Sequence, residues 1–380
     1  MRPLIEATFW ICAGGVFYVY AGYPFLVWLS ARLVPHPVAK AAFTGQVSVV
    51  ISVRNEASLI CSKMEQLLAS PDAALVAEVL VGSDGSTDDT VARLRAISDP
   101  RVKVVEFAER RGKPSVLNDL IPQCTHDVVV LMDARQTLAS GALGRLLEGF
   151  ADERVGVISG ELVFSDGEGA TAAGIGFYWN YEKFIRRNEA LFRSVPGATG
   201  AFYAIRKRLF RPIPGDALLD DVAIPMQAVE AGYRCVFEPG AVVYDQPSES
   251  AEKEGIRKRR TIAGNGQLIR LYPRWLLPWR NPIWFEFVSH KMLRLLSPVL
   301  LGGAFLANAL VMGQGLYKGL LGCQVSFYVV ALLGWVGARR GWRVRVPAAA
   351  YMFVALNVTT VMALVDALRG RYRVQWQKAA

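Results

Sequence analysis

The chain has 380 residues, 52% of them hydrophobic, and a formal net charge of +10. That length allows two domains, and of nucleic acid, an anionic membrane surface and anionic substrates as partners for the basic charge, the apolar segments at both ends decide for the membrane. Five scattered cysteines without a CxxC pair, and three isolated histidines, exclude a disulfide framework, a zinc knuckle and a histidine-rich metal site.

Residues 8–33 are almost wholly apolar and long enough to span a bilayer. Trp10, Tyr18, Tyr20, Tyr23 and Trp28 add aromatic character near the interfaces. The run is too long for a signal peptide and its start carries Glu6 beside Arg2, so residues 1–34 read as an uncleaved anchor. After a linker over 35–45, residues 46–53 (QVSVVISV) predict a strand ending in Arg54-Asn55-Glu56, then a helix over 57–70. The stretch 78–90 reads EVLVGSDGSTDDT. Its apolar run has the length of a buried strand, and its polar turn leads into a helix over 87–97. Ser86 or Thr87 is the expected cap of that helix, with Asp88 and Asp89 at its positive end. A strand over 102–107, the basic loop Glu109-Arg110-Arg111-Gly112-Lys113, a helix over 115–120 and a strand over 127–132 follow, the last ending at Asp133-Ala134-Arg135.

Apolar runs alternating with helical patterns predict an α/β fold with a mostly parallel sheet and crossover helices. Glu56, Asp84 and Asp133 then share one crevice at the carboxyl ends of the strands, where open sheets bind ligands. Further on come a strand over 155–162, an amphipathic helix over 177–188, a small-residue loop over 196–200, and Leu218-Leu219-Asp220-Asp221 before a helix over 224–231. A strand over 235–244 closes a unit spanning 46–250.

Residues 251–290 mix Lys and Arg with Ile, Leu and Trp, the composition of helices lying in a membrane interface. Apolar segments near 293–312, 316–336 and 346–368 predict about three C-terminal spans within 291–368, followed by a basic tail, 369–380. With the sheet in the cytosol, Arg32, Arg339, Arg340, Arg343 and Arg345 obey the positive-inside rule, whereas three C-terminal crossings put Arg369, Arg371, Arg373 and Lys378 outside, against it. Trp275, Trp279, Trp284 and Trp335 read by default as interfacial belts rather than sugar-stacking platforms.

A crevice of carboxylates beside a basic loop suits a nucleoside diphosphate with Mg²⁺ or Mn²⁺, hard ions that prefer carboxylate and phosphate oxygens. Breaking the glycosidic bond of a nucleotide sugar requires charge neutralised on the diphosphate and a base for the attacking hydroxyl. The ordered set SVRNEA, SDGSTDDT, ERRGKPSVLND, VVLMDAR, GATGAFYAIRK, LLDD and RKRRTI resembles family 2 inverting glycosyltransferases of GT-A fold. Joined to apolar segments at both ends, it is similar to membrane-embedded synthases of cellulose, hyaluronan, chitin oligosaccharides and other exopolysaccharides.

The resemblance implies that Glu56 and Asp84 contact the nucleoside, with Asp84 on the base, and that Lys113 lies near the nucleotide. It places Asp133 at the first position of the DxD metal motif, with Arg135 in place of the second Asp and available to the phosphates. It implies Asp221 as catalytic base, with Thr199, Gly200 and Asp220 at the acceptor. Asp220 and Asp221 also suit the start of a helix. Arg257 and Arg260 match the (Q/R)xxRW element, with Thr261 replacing Trp, and their i, i+3 spacing gives one helix face for gripping a diphosphate. An anionic-lipid anchor is the other reading of this cluster, and Lys258 and Arg259 suit it better. The implied partners are a nucleotide sugar, UDP-linked by resemblance, a glycan or lipid acceptor, and the bilayer of an inner or plasma membrane. The implied product is an extracellular polysaccharide or oligosaccharide, exported through the spans. Transfer of one sugar to a membrane lipid is the alternative. A lapsed nucleotide-binding regulator, motivated by Arg135, conflicts with retention of Asp221 and both arginines. A channel would draw on Asn308, Gln314, Gln324, Ser326, Asn357, Thr359, Thr360 and Asp366, although helix–helix hydrogen bonds would use the same residues.

Overall fold

The computed structural model describes residues 1–164, 170–245, 251–313, 315–342 and 344–369. Eight strands form one sheet: β1 (Val47–Val53), β2 (Val76–Asp84), β3 (Val102–Phe107), β4 (Val128–Met132), β5 (Thr137–Leu138), β6 (Val155–Phe164), β7 (Phe202–Arg206) and β8 (Arg234–Asp245). Their order is β3-β2-β1-β4-β7-β6-β8-β5. The first four strands pair in parallel, β7 runs antiparallel between β4 and β6, and β6 and β8 pair in parallel. Strand β7 was not legible as a separate element in the sequence. Its Phe202–Ile205 stretch is fully buried, and it continues the small-residue loop without a break.

The central strands are buried on both faces and lack alternation, as parallel strands covered by helices must. The helix Ile60–Leu68 buries Ile60, Met64 and Leu67, and Lys113–Gln123 buries Val116, Leu117, Leu120 and Ile121, both at helical spacing. Gly82 is required where β2 meets that second helix, because a Cβ there would stand 2.5 Å from Val116 Cγ1. The parallel register sets Val53 beside Ser83 and Ile51 beside Met132. The residues that follow β1, β2 and β4 therefore emerge at one edge, which puts Glu56, Asp84 and Asp133 around a common crevice.

The helix expected at 87 begins at Thr90 instead. Asn55, with φ of 54°, reaches across from the end of β1, and its side-chain oxygen accepts the Thr87 N–H at 2.8 Å. Ser86 accepts the Asn55 N–H, and Asp88 accepts the Thr90 N–H. Ser86 and Thr87 thus join two strand ends rather than cap a helix.

At the opposite edge Glu78 is a buried fastener. It accepts from Ser48 Oγ, Thr125 N, Thr125 Oγ1 and Lys103 Nζ at 2.6–2.7 Å. Burial would raise its pKa, but these donors outweigh burial and hold it at about 2. The stabilisation this gives is complete above the unfolded carboxyl pKa of about 4 and fades as pH falls toward 2. Glu78→Ala leaves buried donors unpaired, and a loss of about 2 kcal/mol is expected, read as a lowered Tm at pH 7 that converges on wild type in acid.

Four helices are long and apolar enough to cross a membrane: Arg2–Leu33, Trp284–Val311, Gly315–Arg339 and Arg345–Asp366. Leu4, Ile11, Phe17, Leu306, Leu310, Val329 and Leu332 stand exposed on them, a lipid-facing pattern rather than a soluble one. Phe9 packs on Ala304, Ala307, Val311 and Tyr317, joining the first of these helices to the next two. Arg32 lies over Trp28, and Arg339 over Trp335 at 4.0 Å, basic–aromatic pairs at helix ends. Trp275 departs from the belt reading. It is fully buried, stacks on Tyr272, and donates to Glu230 at 2.8 Å, fastening the interfacial segment to the sheet unit.

Candidate active site

The helix Asp220–Glu230 begins at the two aspartates, so both carboxylates lie at its positive end. Leu218 N donates to Gln267 of the helix Ala251–Leu271, and a Cβ on Gly264 of that helix would touch Leu219 at 2.5 Å. The interfacial helix is keyed directly onto the LLDD segment, and Arg260 arrives with it. Arg257 lies on the same helix, with its side chain outside the described residues.

Lys113 Nζ donates to Asp133 Oδ1 at 2.7 Å and stands 3.5 Å from Asp220 Oδ2 and from the Gly200 carbonyl. This ammonium, at the start of helix Lys113–Gln123, joins the strand end to the base segment. Burial pulls its pKa down, but Asp133, Asp220 and Asp221 outweigh burial and hold it charged, above its ordinary range. The Asp221 carbonyl accepts the Ala198 N–H at 2.7 Å, and the loop carrying Thr199 and Gly200 lies against it. Burial, with the charge of Asp220, pushes the Asp221 carboxyl up to about 6, while Lys291, Lys113 and Arg260 pull the other way. The carboxylate is half-buried, ionised at neutral pH, and more basic than an ordinary aspartate.

Gly200 is the close approach that fixes this carboxylate, because a Cβ there would stand 2.9 Å from Asp221 Oδ2. The carboxylate end can swing away, and Asp221 Cβ, at 3.2 Å, has to give only slightly. Gly200→Ala is therefore expected to keep the folding stability within about 1 kcal/mol of wild type and to lower turnover about tenfold or more, because small misplacement of a reacting group is costly. Thermal melts and initial rates on the same preparation check this.

The sequence did not single out the support for this loop. Arg186 donates to Thr199 Oγ1 and Ser159 Oγ, each at 2.7 Å, and Ser159 Oγ also accepts the Thr199 N–H. Arg186 stacks over Phe237 on β8. Nothing in the local pattern near 186 marks that role, which depends on partners from β6 and β8.

Other expected site residues have protein partners of their own. Asp84 accepts the N–H groups of Arg111 at 2.6 Å and Gly112 at 2.9 Å, so it anchors the basic loop. Glu56 follows β1, with its N–H on Thr90 Oγ1. Arg135 pairs with Asp245 of β8 at 2.6 Å, and Gln136 donates to the same oxygen. Arg259 pairs with Asp366 of the last span, a protein contact in place of the lipid contact expected for it. Asp366 thereby has the partner that its place in an apolar helix demands.

Among the described residues no group of three His, Cys, Asp or Glu could cage a metal. Asp133 has one oxygen on Lys113, and its other oxygen has no partner among the described residues. A single-carboxylate site completed by ligand phosphates fits that donor set, since Mg²⁺ is commonly held by one or two carboxylates.

Residues 48–213 match the model of glycosyl transferase family 2. They are a family 2 glycosyltransferase domain. Asp220 and Asp221 lie just beyond the matched residues. The succinoglycan biosynthesis protein ExoU of Rhizobium meliloti (strain 1021) is 38% identical over 109 residues, 28% of this chain and 31% of that protein. The poly-beta-1,6-N-acetyl-D-glucosamine synthase of Staphylococcus aureus (strain COL) is 25% identical over 177 residues, 44% of this chain and 42% of that protein. The chain thus spans less than half the length of these relatives. The solved mannosyltransferase PcManGT from Pyrobaculum calidifontis, in complex with GDP-Man and Mn²⁺, is similar with a TM-score of 0.71. That likeness covers 97% of this chain and 100% of the other at 22% identity, and is one of fold. The fold of the family 2 domain is GT-A, with apolar helices before and after it.

Proposed function

We propose that the chain is an inverting glycosyltransferase that takes a nucleotide sugar, UDP-linked by resemblance, and builds an extracellular polysaccharide or oligosaccharide from the cytosolic face of an inner or plasma membrane. The observation that carries this reading is the raised Asp221 carboxyl against Gly200, beside the Lys113–Asp133–Asp220 cluster. Asp221 takes the proton of the acceptor hydroxyl as its oxygen attacks the anomeric carbon. The bond to the diphosphate oxygen breaks, the diphosphate leaves with the electron pair, and the configuration inverts. Lys113, Arg257 and Arg260 offset the charge on the departing group. Asp133, with the donor phosphates, would hold Mg²⁺ or Mn²⁺, which would supply further positive charge there. Glu56 and the loop anchored by Asp84 form the nucleoside end, and Thr199, Gly200 and Asp220 form the acceptor end. The Asp245 pair leaves Arg135 at the rim, within reach of phosphates only if that pair opens.

Transfer of one sugar to a membrane lipid is the second reading, and the spans favour it. Asn357, Thr359 and Thr360 donate to carbonyls of their own helix, and Gln324 donates to Leu301 and Tyr328. In the orientation that satisfies its amide, Asn308 bonds Tyr317 and Leu321. Gln314 lies outside the described residues. The polar span residues thus serve helix contacts more than one continuous path. The two readings separate when the purified protein in lipid is given a panel of UDP- and GDP-sugars and the products are sized. A glycosidase-sensitive ladder supports a polymer, a single sugar on an extractable lipid supports the second reading, and no transfer from any donor overturns both.

A further inference from the structure

A cavity of about 430 Å³ lies where helix Ala170–Phe192, helix Ala251–Leu271 and the spans converge. Its wall has two characters. Tyr178, Glu182, Lys291 and Arg294 give it polar lining, and Leu295, Met352, Phe353 and Leu356 give it apolar lining. Thr261, at the position where the resembling synthases carry Trp, also lines it. A small hydroxyl there leaves room that an indole would fill.

The cations of this cavity are under-used by the protein. Arg294 gives one nitrogen to Glu182, while its Nε and second terminal nitrogen are buried without a hydrogen-bond partner. Lys291 lines the same wall and has no hydrogen-bond or ion-pair partner among the described residues. The nearby carboxylates leave Lys291 unpaired: Glu182 binds Arg294 and His290, and Glu189 binds His290 and Tyr23. Buried donors without acceptors are costly, and a buried cation without a counter-ion more so. A neutral glycan would supply acceptors but no counter-charge. A phosphate supplies both, with several oxygens for a guanidinium and an ammonium. Lys291 also acts on the Asp221 carboxyl through its charge, which sets this cation within electrostatic range of Asp221.

We propose that this cavity holds the phosphate or diphosphate of a lipid-linked sugar acceptor, with Lys291 and Arg294 on the phosphate oxygens and the lipid leaving past Leu295, Met352 and Leu356. The proposal rests on the reading that Asp221 deprotonates an acceptor hydroxyl, and it names the class of that acceptor. The phosphate anchors the acceptor, and its sugar hydroxyl is presented to Asp221.

Native mass spectrometry and kinetics on the full chain in detergent or nanodiscs test it together. The probes are a polyprenyl-diphosphate-linked glucose, the same glucose on a neutral polyprenol, phosphatidylglycerol and inorganic pyrophosphate. The diphosphate-linked lipid is expected to be retained at least tenfold more strongly than the neutral one. Lys291→Gln and Arg294→Gln are each expected to remove that preference, and Lys291→Arg to restore most of it. Where transfer is measured, KM for the diphosphate-linked acceptor rises at least tenfold in Lys291→Gln. Equal retention of the neutral lipid overturns the proposal, as does unchanged retention in Lys291→Gln. Equal, Lys291-dependent retention of phosphatidylglycerol overturns it in favour of a general anionic-lipid site. Displacement by pyrophosphate alone, with no preference among lipids, assigns the site to a free anion. Because retention is read without turnover, preferential lipid retention with no sugar transfer from any nucleotide sugar counts against the proposed function and leaves this one standing. Transfer with an unchanged KM in Lys291→Gln does the reverse.

Discussion

Asp221→Asn is expected to lower sugar transfer about a thousandfold while donor binding stays within about threefold of wild type. Asn keeps the shape and removes the basicity. It also removes a half-buried negative charge beside Asp220, so the Tm is expected to hold or rise. The same carboxyl is expected to set the acid limb of the rate. Its pKa is raised to about 6, and only the ionised form can take the hydroxyl proton. Activity should therefore fall about tenfold per unit once pH drops below about 6, rather than near the ordinary aspartate range of about 4. Initial rates from pH 5 to 8, with donor binding measured at each end, check the sign. A limb near 4, or an Asn variant at near wild-type rate, removes Asp221 from the base role.

The second large effect concerns the cation. Excess chelator is expected to abolish transfer, and added Mg²⁺ or Mn²⁺ to restore it. Asp133→Asn is expected to cost about a hundredfold and to weaken metal-supported donor binding, because one of the few hard ligands is lost. Binding is measured by titrating the nucleoside diphosphate with and without metal, which separates the ion from the chemistry. Full activity in excess chelator would instead assign the charge compensation to Lys113, already held at Asp133 and Asp220.

The sheet was legible because each strand near the crevice is an uninterrupted apolar run that stops at a polar turn. VSVVISV before Arg54-Asn55-Glu56 and VVVLM before Asp133 are the clearest cases. The cluster of Lys113, Asp133, Gly200, Asp220 and Asp221 was legible as separate motifs. That they meet depends on β7 lying beside β4, which no local pattern announces. Misreadings arose where a tertiary partner outbid a local one. Ser86 and Thr87 look like caps, yet Asn55 claims them from another strand. Trp275 looks like a belt residue, yet Glu230 buries it. Arg259 looks like a lipid contact, yet Asp366 lies 107 residues away in sequence and pairs with it. Arg186, Lys291 and Asp245 gave no signal, because each takes its meaning from partners far away in the chain.

The central claim is a single displacement at the anomeric carbon with Asp221 as base. The anomeric configuration of the first bond formed tests it most directly. The protein in lipid is supplied with an α-linked nucleotide sugar, and the product linkage is read by nuclear magnetic resonance. A β-linked product that disappears with Asp221→Asn is the expected result. An α-linked product, or a β-linked one formed undiminished by the Asn variant, would contradict the account.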